Sequence, residues 1–272
     1  MDDPGEVESA LRGTVLDRHR VEEGLGGTLL VADVGPGDVV PAWRAAHGAL
    51  ALTDRWPVFT DEGQLYNEPT PADLDELDRA ARSVDPWPEL LRPADAEPIG
   101  QDRFERYVTA CVGADRVPEA AARLGLSTSL AALDRWVYDT LLAHPALAQR
   151  SRPWFERLIG PGNWYRPDRI QLVLLPTPHQ WLTPAFTSYF GARSDRIWAA
   201  AMYQWHRRWD ARLVACWGTM LQFFVGQRPE PGEPAWELAG QIMGVGGSLQ
   251  EERWMHAMAV AESDAWFLHD RP

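Results

Sequence analysis

The sequence contains no lysine, and all 26 of its basic residues are arginine. Chemistry that needs a lysine amine, such as Schiff-base formation or phosphate binding by a P-loop lysine, is therefore excluded. The preference for arginine, together with 22 glycines and 22 prolines, is typical of a GC-rich bacterial genome.

Cysteine is scarce as well. The chain of 272 residues has two cysteines, Cys111 and Cys216, which are far apart and lie in apolar surroundings. Two cysteines cannot hold a chain of this length together as a disulfide scaffold. The acidic N-terminus lacks the basic and apolar segments of a secretory signal. We therefore expect free, buried thiols in a cytoplasmic protein.

Long apolar runs and an excess of positive charge are also missing. No apolar run approaches the ~20 residues that span a bilayer. Residues 1–100 carry 21 acidic residues and 8 arginines, whereas residues 101–272 carry 18 of each. The acidic front part would repel nucleic-acid phosphates and anionic lipid, so we expect neither nucleic acid nor a membrane as partner. It is either a solvated face or a docking surface for a basic protein.

Familiar catalytic motifs are absent. The sequence has no G-x-S-x-G, H-E-x-x-H, C-x-x-C or Walker A pattern, and we expect no cofactor. The glycine-rich "GVGGSLQEE" follows a helix and places Glu251 and Glu252 in the next first turn, where they would repel phosphate. The helix pair around Gly125 has helix-turn-helix spacing, but its second helix has too few donors to read DNA. We interpret it as a helical hairpin.

The sequence of the front part, residues 1–98, predicts a β-α-β arrangement. A strand at 26–35 is followed by the short helix "DVVPAWRAAHGAL" and by the strand "RWPVFTDEG". An acidic helix comes next, with Thr70 as N-cap, Pro71 in its first turn and Asp73 three residues after the cap. The proline-broken residues 84–98 read as a connector.

Residues 101–150 predict a helical insertion, and residues 151–272 a C-terminal α/β unit. The insertion has an apolar face formed by Phe104, Tyr107, Val108 and Cys111. The C-terminal unit begins with the strand "DRIQLVLLP" and a helix capped by Ser194. A hairpin around Gly-Thr, the helix "EPAWELAGQIM", a helix opened by Ser248 with Glu251 in a capping box, and the strand "DAWFLHD" follow.

The predicted fold class is α/β or α+β, with a mixed sheet, helices packed on it and a helical insertion in the middle. Whether the front and C-terminal strands join into one sheet, as a single composite domain, stays open.

Tryptophans are the most conspicuous feature of the C-terminal part. The helix after Ser194 places Trp198, Met202, Trp205 and Trp209 on one stripe, a pattern more typical of a core than of a cofactor site. If the aromatic residues instead form a binding groove, the candidate binding residues are Trp181, Trp205, Trp209 and Trp266.

Four histidines lie in the C-terminal unit, residues 151–272: His179, His206, His256 and His269. The candidate catalytic residues are His206, His269 and Asp270. The candidate metal ligands are His179, His206 and His269, but no pair has the i, i+4 spacing of a helical metal site, so no metal is expected. His269 and Asp270 are adjacent on a strand and should point to opposite faces.

The segments "LVLLP", "RRWDARLV", "RPEPGEPAWELA" and "SDAWFLHD" resemble a bacterial family known as domain of unknown function 4253. The resemblance implies no activity. Family members tend to carry a Glu-His pair, a Cys and an Asp where this sequence has Gln241, Ile242, Val245 and Gly247. If those polar residues form a site in the family, the resemblance implies that this chain has largely lost it.

Two functions follow from these observations as hypotheses. The first is a non-enzymatic protein that binds another protein through its acidic front face or an aromatic groove, because tryptophan is enriched at binding hot spots. The alternative is a hydrolase-like enzyme, metal-dependent or not, with a site among the C-terminal histidines and Asp270. The oligomeric state is not predicted.

Overall fold

The computed structural model describes residues 1–61, 67–91, 97–191, 194–247, 249 and 251–270. It confirms the predicted mixed α/β class, with helices around one mixed sheet. The helices are α1 Pro4–Ala10, α2 Val39–Gly48, α3 Leu50–Thr53, α4 Pro71–Ser83, α5 Trp87–Leu90, α6 Gln101–Val112, α7 Val117–Leu124, α8 Leu130–Ala143, α9 Pro145–Phe155, α10 Asp195–Trp209, α11 Glu233–Val245 and α12 Arg253–Val260. The strands are β1 Val21–Glu23, β2 Leu29–Val31, β3 Trp56–Asp61, β4 Ile170–Leu175, β5 Ala211–Cys216, β6 Met220–Val225 and β7 Ala265–His269.

The described strands lie in the order β1-β2-β4-β3-β5-β6-β7, so strands of the front and C-terminal parts share one sheet. Neighbouring strands are antiparallel, except for the parallel pair β3–β5. Because β2 and β3 are both antiparallel to β4, they run parallel to each other with β4 between them. The predicted β-α-β unit is therefore present, but its two strands are not neighbours.

The two faces of the sheet carry different helices. Phe223 and Phe224 are adjacent on β6, so their side chains point to opposite faces. Trp205 of α10 packs on Phe223, with ring centroids 5.7 Å apart. Trp43 of α2 packs on Phe224, at 5.5 Å. Helices α10 and α2 therefore cover opposite faces, and the edge strand β7 closes the C-terminal side of the sheet.

Two helices, α4 and α10, begin at the capping residues that the sequence predicts. Thr70 and Asp73 form a reciprocal capping box at α4, in which Asp73 Oδ2 accepts from the Thr70 amide at 2.8 Å. Ser194 accepts from the Ile197 amide at the start of α10. These caps satisfy amides that have no partner inside the helix, which is why the sequence located both starts.

Two predicted boundaries are wrong. The strand predicted over 26–35 is restricted to β2, because Gly26, Gly27 and Asp33 have φ values of 61°, 75° and 58°, which a strand does not allow. The helix predicted from Ser248 begins at Arg253, with Glu252 as its N-cap. Ser248 itself lies outside the described residues.

Helices α6–α9, which cover the predicted insertion at 101–150 and extend to Phe155, pack against α11 and α12 and form with them a second apolar cluster beside the sheet core. Phe104, Val108 and Cys111 are buried on the predicted face of α6, and Tyr107 is half-buried. Both cysteines are buried and form no disulfide. In the described segments, no helix is long and apolar enough to cross a membrane.

Candidate functional site

The four predicted binding tryptophans are buried. Trp181, Trp205, Trp209 and Trp266 have 6%, 1%, 7% and 3% of their surface exposed. Trp205 packs edge-on against Phe223 and Trp266, and its Nε1 donates to Gln241 Oε1 at 2.9 Å. In this conformation the four indoles fill the interior and present almost no surface to a partner.

Two of the predicted histidines lie close together at one end of the sheet. His179 stacks on Trp181 with ring centroids 4.5 Å apart, and the Trp181 ring is 5.7 Å from His206. Trp181 Nε1 donates to Asp78 of α4 at 2.7 Å. Burial lowers the pKa of His179, although the Asp78 charge opposes the shift. His179 therefore packs as a neutral ring on an indole.

His269 and Asp270 lie at the opposite end of the sheet. In the register of the C-terminal strands, Ala211 of β5, two residues after α10, pairs with Val225, whereas His269 pairs with Met220 at the other end of β6. A six-residue strand spans roughly 17 to 20 Å. The fold thus brings His179 and His206 together and leaves His269 and Asp270 apart from them. Among the residues that the structure describes, no group of three or more His, Cys, Asp or Glu could hold a metal ion.

A cavity of about 260 Å³ lies instead at the outer edge of β7. Its walls come from β7, α11, α12 and the segment after α9. Trp164 in the wall packs on Phe224, with ring centroids 5.0 Å apart, and so belongs to the α2 face of the sheet. Trp266, also in the wall, pairs with Phe223 and belongs to the α10 face. Because both faces contribute, the cavity wraps around the free edge of the sheet.

Three residues in this wall have unmet hydrogen-bonding capacity. His256 Nε2, Trp164 Nε1 and Trp266 Nε1 are buried and have no hydrogen-bond partner among the described residues. The three side chains belong to residues that are 4%, 7% and 3% exposed. Buried polar groups normally have partners, because an unpaired one costs about 1–3 kcal/mol. Of the eleven such buried atoms among the described residues, six are indole nitrogens, and three of the eleven belong to residues that line this cavity.

The charged groups of the cavity form a chain that ends at the imidazole. Arg157 pairs with Glu251 at 2.8 Å, and the other oxygen of Glu251 is 3.8 Å from His256 Nε2. Burial lowers the pKa of His256 to about 4, although the Glu251 carboxylate opposes this shift. His256 is therefore a neutral imidazole at neutral pH, with a carboxylate beside it.

Ser263 also lines the cavity, but its hydroxyl is already bonded. Ser263 Oγ donates to the carbonyl of Ala265 at 2.5 Å and accepts from the Gly160 and Ala265 amides at 2.9 and 3.1 Å. These bonds shape the turn before β7 and leave the oxygen without the freedom of a nucleophile. The polar chemistry of the cavity thus rests on His256, Glu251 and the two indoles.

Sequence reasoning did not identify this cavity. His256 is one of four histidines in residues 151–272, and nothing in the spacing links it to Trp164 or Arg157, which lie about a hundred residues earlier. Of the positions where the chain departs from the family pattern, Ile242 lines the cavity and Gln241 bonds Trp205. The only local signal was the presence of Glu251 five residues before His256.

Comparison with known proteins gives one match. Residues 171–270 match the family described as "Domain of unknown function (DUF4253)". No curated protein and no solved structure matches the chain significantly. The C-terminal part of the chain, from residue 171 to residue 270, therefore carries the family match that its strand and tryptophan motifs suggested.

Proposed function

We propose that the cavity beside His256 binds a small, uncharged ring compound that carries an oxygen acceptor. The observation that carries this proposal is that three residues lining one cavity each have a buried ring nitrogen without a hydrogen-bond partner among the described residues. The cavity volume of about 260 Å³ sets the size of the ligand. An apolar cavity of about 150 Å³ holds one benzene molecule, so a ring with a short substituent fits here.

The charges in the wall favour an uncharged ligand. Glu251 is already paired with Arg157, and His256 is neutral. An ion in the cavity would lose its hydration without gaining a free counter-charge, which costs several kcal/mol. A neutral molecule avoids that penalty.

The hydrogen-bonding groups favour an oxygen acceptor. The indole nitrogens of Trp164 and Trp266 can only donate, whereas the neutral imidazole of His256 donates or accepts depending on its tautomer. A carbonyl or hydroxyl oxygen can accept from these donors and relieve the cost of leaving them unpaired. The apolar side chains of Ile242 and Val260 in the same wall would contact the ring.

The test compares three ligands of the same shape: benzamide, benzoate and benzamidine, which are neutral, anionic and cationic. Isothermal titration calorimetry at pH 7.5 should detect benzamide binding, with the two ions at least about tenfold weaker because of their desolvation cost. Equal affinity of all three, or no binding of benzamide, contradicts the proposal.

Two ring-for-ring variants locate the binding. His256→Phe keeps an aromatic ring but removes the cavity nitrogen and should weaken benzamide about tenfold, the effect of one lost hydrogen bond to a buried group. His179→Phe makes the same change outside the cavity and should leave the affinity unchanged. Thermal unfolding of both variants shows whether they are folded, and unchanged affinity in folded His256→Phe would overturn the assignment.

A second candidate function is a metal-free hydrolase, supported by the neutral imidazole of His256 beside Glu251. In this reaction His256 Nε2 takes a proton from water as the water oxygen attacks an ester carbonyl, and the imidazolium returns that proton to the departing alkoxide, which leaves as the alcohol. Glu251 would stabilise the imidazolium that forms. With p-nitrophenyl acetate the rate should rise as pH increases through about 4, the pKa of His256, and fall to background in His256→Phe. A flat profile or an unchanged variant rate contradicts this candidate.

The expected interaction with a basic protein is a separate proposal, supported by the exposed carboxylates Asp75 and Glu76 on α4. Replacing them with Asn and Gln should reduce recovery of such a partner in a pull-down. Undiminished recovery removes the acidic-face version of this proposal.

A further inference from the structure

The edge strand β7 has main-chain hydrogen-bonding groups that do not face β6. In an antiparallel pair, every second residue exchanges hydrogen bonds with the neighbouring strand, and the residues between direct their N–H and C=O to the other side. The Val225 amide donates to the Asp264 carbonyl, and the Asp270 amide donates to the Thr219 carbonyl, both at 2.8 Å. These two bonds flank the β6–β7 pairing. The even-numbered residues of β7 therefore bond β6, and its odd-numbered residues face the free edge.

The other side of β6 gives the same result. The Gly226 amide donates to the Asp210 carbonyl at 3.1 Å, and the Trp217 amide donates to the Met220 carbonyl at 2.9 Å. Even-numbered residues of β6 thus bond β5. Its odd-numbered residues remain for β7, in agreement with the bonds that flank β7.

Three residues of β7 face the free edge: Ala265, Phe267 and His269. Ser263 Oγ accepts from the Ala265 amide at 3.1 Å and donates to the Ala265 carbonyl at 2.5 Å, so one hydroxyl takes the place of a partner strand there. His269 lies against the end of α11, since a Cβ added to Gly246 would be 3.1 Å from the His269 amide nitrogen. Phe267 lies between them and lines the cavity. Within the described ranges, no hydrogen bond reaches its main-chain N–H or C=O.

We propose that the cavity binds a carboxamide whose carbonyl oxygen and N–H lie on the same side, as in a primary amide or a lactam, and that this group pairs with the main chain of Phe267. The ligand oxygen accepts from the Phe267 amide, and the ligand N–H donates to the Phe267 carbonyl, as a partner strand would do. This inference rests on the proposed function of the cavity. It narrows the ligand from any oxygen acceptor to one that also donates.

The side chains of the wall are compatible with this pairing. An amide oxygen has two lone pairs, so it can accept from Phe267 and also from His256, Trp164 or Trp266. A ketone of the same shape accepts in the same way but covers the Phe267 carbonyl without offering it a donor. A buried acceptor without a donor costs free energy, and the ketone should therefore bind more weakly than the amide.

Benzamide and acetophenone test the class of ligand. The two compounds share the ring and the carbonyl, and a methyl group replaces the amino group in acetophenone. In isothermal titration calorimetry at pH 7.5, acetophenone should bind about tenfold more weakly, the effect of one buried acceptor left without a donor. Equal affinity of the two overturns this inference and leaves the proposed oxygen-acceptor site standing. Binding of neither compound removes the proposed function and this inference with it.

Two variants at one position locate the pairing. Phe267→Ala and Phe267→Pro both remove the aromatic ring, but only proline also removes the main-chain N–H. Proline is tolerated on an edge strand where the N–H faces away from the ladder. Benzamide should bind Phe267→Pro about tenfold more weakly than Phe267→Ala, because the ligand oxygen loses one donor. Thermal unfolding shows whether both variants are folded, and equal affinity in the two folded variants contradicts the pairing.

Amide hydrogen exchange of the wild-type chain tests the pairing without any substitution. In the absence of ligand, the Phe267 amide should exchange faster than the Trp266 and Leu268 amides, which the sequence of hydrogen bonds along β6 and β7 protects. Saturating benzamide should slow exchange at Phe267 about tenfold relative to Trp266, as expected for a new hydrogen bond. Exchange at Phe267 as slow as at Trp266 in the free chain, or an unchanged ratio when benzamide is bound, overturns the inference.

Discussion

His256 and His179 have the same chemistry and similar neighbours, but the structure uses them differently. Burial lowers the pKa of both imidazoles, and each has a carboxylate nearby, Asp78 beside His179 and Glu251 beside His256. His179 stacks face to face on Trp181, and Trp181 Nε1 donates a hydrogen bond to the carboxylate of Asp78. His256 lies beside a cavity, and its Nε2 has no hydrogen bond within the described residues.

The difference shows which property identifies a site in a chain rich in aromatic residues. Burial and a perturbed pKa are common to both histidines and therefore do not discriminate between them. Unmet hydrogen-bonding capacity next to space for a ligand is found at His256 alone of the two. Burial of a polar group without a partner carries a cost that packing does not recover, whereas the stacked ring of His179 is already part of the core.

The largest expected effect is a loss of stability when a tryptophan that fills the core is removed. Trp205→Ala should lower the free energy of unfolding by about 3–5 kcal/mol, because it removes a fully buried ring that packs on Phe223 and Trp266. Trp154→Ala is the matched control, since Trp154 is 51% exposed, and it should change stability by no more than about 0.5 kcal/mol. Urea denaturation measures both. Similar values for the two variants would show that Trp205 is not a core residue.

The second prediction distinguishes His256 from His179 by how the free energy of unfolding depends on pH. The pKa of His256 falls from 6.5 to about 4 on folding, so the folded chain resists a proton that the unfolded chain accepts. Its contribution to stability is complete above about pH 6.5 and is lost as pH falls towards 4. The difference in unfolding free energy between wild type and His256→Phe should therefore change across this range. The same difference for His179→Phe should change less, because His179 is partly exposed; an equal or larger change for His179 contradicts the comparison.

The smallest effect concerns stacking at His179. His179→Ala should cost about 0.5–1.5 kcal/mol, the contribution of one ring pair, and should leave benzamide binding unchanged. Chemical denaturation and calorimetry of the same sample measure the two quantities. Loss of benzamide binding in folded His179→Ala would place the ligand near His179 and not in the cavity beside His256.

Much of the fold was predictable, because its signals are local. The capping box of Thr70 and Asp73, the Ser194 cap and the Gly-Thr hairpin each involve residues a few positions apart. The limits of β2 were not predictable, since Asp33 adopts a positive φ that only its tertiary setting reveals. The start of α12 was also missed, because the helix begins at Arg253 without a side-chain capping bond from Glu252, its N-cap residue, so no local capping signal marks it.

The candidate site was not predictable for the same reason. The sequence pointed to His206, His269 and Asp270 as one group, but the register of β5, β6 and β7 puts them at opposite ends of the sheet. The cavity gathers Trp164, His256 and Trp266 from three separate segments around an edge strand. No periodicity or spacing encodes that meeting, which depends on the order of strands in the sheet.

The most direct test of the account is a crystal structure of the protein grown with saturating benzamide. The account predicts the ring in the cavity between α12 and β7, with the amide oxygen within hydrogen-bonding distance of at least one nitrogen of His256, Trp164 or Trp266. Benzamide bound elsewhere, with this cavity lacking ligand density, would contradict it.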